Sequence, residues 1–174
     1  NINNPSIFTN IEYRFIVEEQ ISEINEDYLE IILEPSAKNT GPSILGAALH
    51  VLEKDIDGIL VVVPTDHHIE NRKDFVATVS KAVNSLERGA LMTLGITPDR
   101  PETGYGYMKQ SIKKSNNTTL ITRFIEKPNI PSAKRMFSSG NYLWNSGVFI
   151  GFASDIKSFF FDHSKILYKH VLKA

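Results

Sequence analysis

Cysteine is absent from the 174-residue sequence, which excludes a disulfide framework and a thiolate metal site and makes a reducing cytoplasm compatible. No stretch approaches the roughly 20 consecutive apolar residues of a membrane-spanning helix, and the asparagine-rich start does not read as a secretory signal. A dominant charge is missing as well. The 19 basic and 20 acidic side chains leave a net charge of -1, with no broad field to draw in nucleic acid or anionic lipid, so an anionic ligand must be met by a few local groups. Repeats, low-complexity segments and long linkers are also lacking. What remains is an ordinary globular composition, 41% apolar and 22% charged, long enough for a sizeable core in one domain or in an incomplete larger one.

The chain is organised around Ile59-Leu60-Val61-Val62-Val63-Pro64-Thr65-Asp66-His67-His68-Ile69. The apolar run into a proline is the pattern of a strand buried on both faces of a parallel sheet, and the proline marks where its pairing must stop. In an open α/β sheet the ligand crevice lies beyond the carboxyl ends of the strands, so an acid at Asp66 is held at the mouth of that crevice, where a catalytic metal would be wanted. Taken alone, the stretch favours the simpler use of Asp66 as a cap on the turn into the next helix.

Residues 1–10, with Pro5 and several asparagines, read as loop. From Glu12 onward, Phe15, Ile16, Ile21 and Ile24 fit one face of a helix. Residues 29–33 read as a strand, and Glu34 to Pro42 as a loop whose Thr40 caps a helix running from near Pro42 through Leu52. After the organising strand, Asn71 caps a helix that carries Phe75, Val79, Ala82, Val83 and Leu86 on one side and is closed by Gly89. Ala90 to Ile96 is the next strand. Strands alternating with helices in this way argue for right-handed βαβ crossovers and a three-layer parallel sheet.

Farther on, Thr97 to Gly106 is rich in turn residues and reads as a shaped loop. Tyr107 to Ser111 and Thr119 to Glu126 read as a hairpin about the polar turn at residues 113–117. Pro131 to Ser139 is a short helix ended by Gly140, Val148 to Phe152 a strand, and Ser154 the cap of a last helix through Phe161. The expected fold is α/β, Rossmann-like, with a doubly wound, mostly parallel mixed sheet and helices on both faces.

Three further stretches offer chemistry. In Pro101-Glu102-Thr103-Gly104-Tyr105-Gly106-Tyr107, glycines flanking an aromatic let the backbone approach a ligand, and the acid and hydroxyls can bind sugar hydroxyls; a tight turn with exposed tyrosines is as good a reading. It lacks the lysine and the helix of a phosphate loop. In Phe124-Ile125-Glu126-Lys127-Pro128, strand alternation sends Glu126 and Lys127 to opposite faces, which favours a plain surface pair. Trp144-Asn145-Ser146-Gly147 sets an amide beside an aromatic platform just before a strand. The adjacent His67 and His68 diverge and cannot form a zinc pair of the helical type; His50, His163 and His170 have no partners at metal-ligand spacing. Met92, Met108 and Met136 read as core gap-fillers.

Together and in this order, Glu34-Pro35 through Asn39-Thr40-Gly41-Pro42, Pro64-Thr65-Asp66-His67, the Pro101 to Tyr107 loop, Phe124 to Pro128 and Trp144 to Gly147 resemble the mannose-1-phosphate guanylyltransferases. The bacterial type, often fused to a phosphomannose isomerase domain, is the nearest in look, over residues 10–160. The resemblance implies the fold of the nucleotide-diphospho-sugar transferases and transfer of a guanylyl group from GTP to mannose 1-phosphate, giving GDP-mannose and pyrophosphate. It implies Asp66 and Lys127 as catalytic residues, with Mg2+ on Asp66 and Lys127 on the sugar phosphate. By the same likeness Glu34, Asn39 and Thr40 face the guanine, Gly104 and Tyr105 lie over the sugar and ribose, and Glu126 and Asn145 hold the mannose.

GTP, mannose 1-phosphate and GDP-mannose are the partners so implied, in the cytoplasm, with a homodimer admitted and neither nucleic acid nor membrane expected. The sequence departs from the family in having no glycine-rich triphosphate loop in residues 1–30 and no second metal aspartate after Trp144 to Gly147. Lys38, Gly41 and Thr65 also replace the usual arginine, alanine and small residue. These departures make residues 1–174 read as the central part of one catalytic domain, cut at both ends and inactive alone. The competing readings are a non-catalytic or degenerate nucleotide-sugar-binding protein, and a sugar-1-phosphate nucleotidyltransferase of other base or sugar specificity.

Overall fold

The computed structural model describes residues 4–24, 30–36, 40–115 and 118–173, which fall into two compact units, Asn1–Gly58 with Ile156–Ala174 and, between them, Ile59–Asp155. Among the described residues no helix is long and apolar enough to cross a membrane.

The first unit opens with strand β1 (Ser6–Asn10), which pairs in parallel with β2 (Glu30–Glu34) from Ser6↔Glu30 to Asn10↔Glu34. The loop expected at residues 1–10 is thus a strand from Ser6. Ile7, Phe8 and Thr9 carry the β-branched and aromatic side chains that suit a pleated surface, and the neighbouring Pro5 and asparagines mask that signal. Between the strands, the Asn10 side chain accepts from the Glu12 amide at 2.9 Å and starts a short 3-10 turn leading into α1 (Arg14–Ile24). Only Ile21 of the expected apolar face is buried; Phe15, Ile16 and Ile24 are exposed. Helix α2 (Thr40–Lys54) starts two residues earlier than expected, with Thr40 inside the helix, and buries Leu45, Ala47 and Ala48. It contacts α6 (Lys165–Val171).

The second unit holds β3 (Ile59–Val62), α3 (Arg72–Asn84), β4 (Leu91–Ile96), β5 (Tyr107–Ser115), β6 (Thr118–Ile125), α4 (Ile130–Ser139) and β7 (Tyr142–Phe152). Helix α5 (Ala153–His163) starts here and runs into the first unit. Strand β7 is hydrogen-bonded along both edges. Ile150 pairs with Val61 of β3 on one side and Met92 of β4 on the other; Trp144 pairs with Tyr107 of β5 and with Ile96 of β4. Strands β3 and β5 therefore share one edge of β7, β4 holds the other, and β6 extends the sheet from β5.

The mixed α/β class is borne out, with parallel pairing in the first unit and antiparallel ladders in the second. Strands β3 and β4 are parallel to each other, as the alternation implied, yet each bonds to the antiparallel β7 that lies between them. Ile59 to Val62 are only half-buried and Val63 is exposed, short of the burial on both faces expected, and an apolar run carries no information on a neighbour's direction.

Helix α3 starts and faces the core as its pattern predicts, but it ends at Asn84 with Ser85 as its cap, so Leu86 and Gly89 lie beyond it. Asn71 accepts from the Asp74 amide at 3.2 Å, and Phe75, Val79, Ala82, Val83 and Leu86 pack on Ile59, Val61, Met92, Leu94, Val148 and Ile150. Helix α4 packs Ala133 and Met136 on Tyr107 and Trp144, and stops at Gly140, whose φ of 65° is the left-handed conformation glycine adopts without strain.

In the first unit Glu30 accepts from Lys54 Nζ at 2.7 Å and lies 2.5 Å from His50 Nε2, which fastens β2 to α2. Hydrogen bonds from Lys54 and then His50 hold the Glu30 carboxyl below its ordinary range. A lowered folded-state value means that the ionised form is favoured by folding. This contribution is therefore present above 4.5, the ordinary value, and fades as pH falls through the folded one. Thermal melts across this acid range should show wild type losing melting temperature more steeply than Glu30→Gln, and parallel profiles would remove the linkage.

Candidate functional site

Because β3 and β5 lie on the same edge of β7, that edge has a break between them. Strand β3 ends against Phe149, with Val62, and β5 begins against Trp144, with Tyr107. The intervening residues of β7 are Asn145, Ser146, Gly147 and Val148. Trp144 to Gly147 was expected to precede a strand; it lies within one, and Gly147 at φ 77° marks the irregularity. Three chain ends converge on the break. The turn after β3 passes it at Pro64, whose ring carbon is 3.2 Å from where a Gly147 Cβ would stand, and carries Asp66 two residues on. The 99–106 loop enters it before β5, and the Asn145 amide donates to the Gly106 carbonyl at 2.8 Å. Strand β6 leaves beside Tyr107 at Ile125, so Glu126 and Lys127 follow directly.

Each side chain there is positioned by a specific contact. Asn145 Oδ1 accepts from Thr93 Oγ1 at 2.9 Å and from the Gly147 amide at 3.2 Å, which fixes its oxygen inward and leaves its NH2 as the free donor. Glu126 Oε2 would be 2.7 Å from a Cβ at Gly106, so the lack of a side chain there lets the carboxylate lie close against the backbone, and a methyl would push it aside. Glu126 and Lys127 form the surface pair expected of them, but they do not alternate to opposite faces. Strand β6 has ended at Ile125, and Lys127 takes φ 41°, which swings its side chain back until Nζ is 4.0 Å from Glu126 Oε1. An acceptor and a cation are thereby presented together, both well exposed. Asp66 is exposed and has no hydrogen bond or ion pair among the described residues.

The loop before β5 is shaped from within. Glu102 Oε1 accepts from the amides of Thr103 and Gly104 at 2.8 and 3.0 Å, and Glu102 Oε2 meets Arg100 Nε at 3.4 Å. The Gly104 and Thr103 amides hold the Glu102 carboxyl below its usual range, and the carboxylates of Asp99 and Glu102 raise Arg100. Glu102 is thus spent on the loop and is not an open sugar acceptor. Tyr105 packs edge-on against buried Trp144 with ring centroids 5.1 Å apart, and the Arg100 guanidinium stands 5.4 Å from that indole. Thr93 and Arg100 escaped the sequence reading: a lone threonine in the apolar run Leu91 to Leu94 was the available signal for the first, and none marked the second.

In the first unit Glu34 accepts from Ser43 Oγ at 2.6 Å and, with Pro35, Ser36 and Pro42, lines a cavity of about 1210 Å³. Thr40 opens α2; Asn39 lies outside the described residues. His67 and His68 are exposed, and no described group of three or more histidines and acids could cage a metal. Met108 and Met136 are buried and Met92 packs on the core, as expected.

Gly106 and Gly104 make a matched pair for mutation. Gly106→Ala places a methyl on the ends of the exposed Glu126 and Phe124 side chains, which must shift aside, and should destabilise by about 1 kcal/mol. Gly104→Ala meets nothing nearer than 3.6 Å and should stay within about 0.5 kcal/mol of wild type. Urea unfolding of both would settle it, and equal losses would contradict the close crossing at Gly106.

A family model described as nucleotidyl transferase matches residues 1–167. The xanthan biosynthesis protein XanB of Xanthomonas campestris is 41% identical over 150 residues, covering 86% of this chain and 32% of its own. Proteins named mannose-1-phosphate guanylyltransferase in Salmonella montevideo and Escherichia coli are each 39% identical, over 86% and 84% of this chain and 33% and 32% of theirs. The chain therefore spans only a fraction of the length of these relatives. Among solved structures, one described as mannose-6-phosphate isomerase from Helicobacter pylori superposes with a TM-score of 0.85 at 28% identity, over 98% of this chain and 64% of the other. With the motifs, the strand order and the match over residues 1–167 in agreement, the chain belongs to the nucleotidyl transferase family.

Proposed function

We propose that this chain carries the sugar-phosphate side of a mannose-1-phosphate guanylyltransferase, which joins a guanylyl group from GTP to mannose 1-phosphate and releases pyrophosphate. The observation that carries the reading is the meeting, at one break in the β7 ladder, of Asn145, the end of β6 that leads into Glu126 and Lys127, and the Pro64 turn that leads to Asp66. The names borne by relatives at 39% identity support it.

The attacking atom is a phosphate oxygen, already anionic near neutral pH, so no strong base is required. Glu126 accepts from sugar hydroxyls, the free NH2 of Asn145 donates to another, and Lys127 meets the phosphate beside them. Tyr105 and Gly104 close over the sugar and ribose, held in place by Glu102 and Trp144. In the first unit, Glu34 and Thr40 are assigned to the base, with Asn39. A lone carboxylate with no partner fits Mg2+, which takes one or two protein acids and keeps its waters. Asp66 would hold it, and the ion would neutralise charge gathering between the phosphates. A cytoplasmic setting and a homodimer belong to the same proposal; the lack of cysteine is compatible with the first.

Isothermal titration of the chain with GDP-mannose and magnesium tests the reading. Glu126→Ala should weaken binding by about 1–3 kcal/mol. Chelation with EDTA should weaken the wild type and leave Asp66→Ala, already weakened, unchanged. Binding of UDP-glucose as tight as that of GDP-mannose would overturn the assignment.

A further inference from the structure

The chain is nearly neutral, but its charge is not evenly spread. Between Thr103 and Ser154 stand seven basic residues, Lys109, Lys113, Lys114, Arg123, Lys127, Lys134 and Arg135, against one acid, Glu126, a net of +6; the remainder of the chain carries -7 to make the total of -1. Lys109 on β5 and Arg123 on β6 are directly opposite in the antiparallel ladder, and Tyr142 of β7 flanks Lys109 on its other side. Like charges directly opposite one another in a ladder destabilise it. Here the pair is not relieved by a carboxylate. Neither Lys109 nor Arg123 has an ion pair among the described residues, and Arg135, reaching in from α4, is bonded only to Ser132 Oγ, at 2.8 Å.

These three cations line one groove of about 410 Å³ whose walls contain no acid and whose other polar groups, among them Ser132, Asn141 and Tyr142, can donate hydrogen bonds. The groove is separate from the candidate active site. Side chains alternate along β5, so Lys109 shares the α4 face with Tyr107, whereas a Gly106 Cβ would point to the opposite face, at Glu126. A sheet that tolerates facing cations without a counterion is set up for one supplied from outside, and planar guanidinium groups match phosphate oxygens in pairs. The geometry points to a second ligand site in this groove, for a small molecule bearing two or more phosphate charges such as a diphosphate. The inference is independent of the proposed reaction.

Inorganic pyrophosphate without magnesium is the probe, followed by isothermal titration and by thermal melts. Saturable binding is expected in wild type and equally in Asp66→Ala and Lys127→Ala, which disable the candidate active site. Arg123→Gln with Arg135→Gln should lose about tenfold or more in affinity, since charge-assisted contacts are removed. Lys109→Gln should raise the melting temperature of the free protein and abolish the rise caused by pyrophosphate, a pair of effects that general loss of structure would not produce. Failure of wild type to bind, unchanged affinity in the doubly substituted protein, or loss of binding in Lys127→Ala would each overturn the site.

Discussion

Hydrogen bonding along both edges of β7 sets the positions of all the functional candidates in the second unit. One edge is occupied by β4 from Leu91↔Gly151 to Ile96↔Trp144, with a register shift between Thr93 and Gly95 opposite the irregularity at Gly147. The other is divided between β3 and β5, which run in the same direction, β3 ending at Phe149 and β5 starting at Trp144. A sheet edge with unpaired backbone is normally a liability. Here the unpaired stretch is short, covered by the Pro64 turn and the 99–106 loop, and it brings the ends of three strands to one place. The general placement of ligands beyond strand ends in open α/β sheets is met by an antiparallel strand wedged between two parallel ones.

Rigidity at this place comes from side chains that do not themselves face a substrate. Thr93 orients the Asn145 amide, Glu102 gathers the loop amides, and Trp144 supports Tyr105 from beneath with Tyr107 at its other edge. Groups placed by such supporting contacts lose less freedom on binding than groups on a free loop. The exposed pair of Glu126 and Lys127 has little Coulomb value as an ion pair in water. Its meaning lies in the left-handed turn at Lys127, a strained conformation for a non-glycine residue that proteins retain where function needs it.

Much of the fold could be read from periodicity. Helix α3 is the clearest case, since Asn71 and five apolar residues at helical spacing define both its start and its buried face. The hairpin, α4 with Gly140, and the strand at Leu91 were equally legible. Pairing direction was not, because a β-branched run looks the same beside a parallel or an antiparallel neighbour. The site was legible as a set of motifs and illegible as an arrangement. That Glu126 and Lys127 converge depends on one backbone dihedral, and that Pro64, two residues before Asp66, lies beside Gly147 depends on which edge of β7 its strand joins. Neither is a property of local sequence. Face assignment also misled at α1, where Phe15, Ile16 and Ile24 have the spacing of a core stripe and stand exposed.

The central claim is that one break in the β7 ladder holds both a sugar acceptor and a phosphate cation. Backbone amide shifts in a 15N-labelled sample of the chain, followed during titration with mannose 1-phosphate, test it most directly. Saturable perturbations confined to residues 65–67, 104–107, 125–127 and 145–148, and absent from the same titration of Lys127→Ala, are the predicted result. Perturbations centred elsewhere, or a Lys127→Ala titration indistinguishable from wild type, would contradict it.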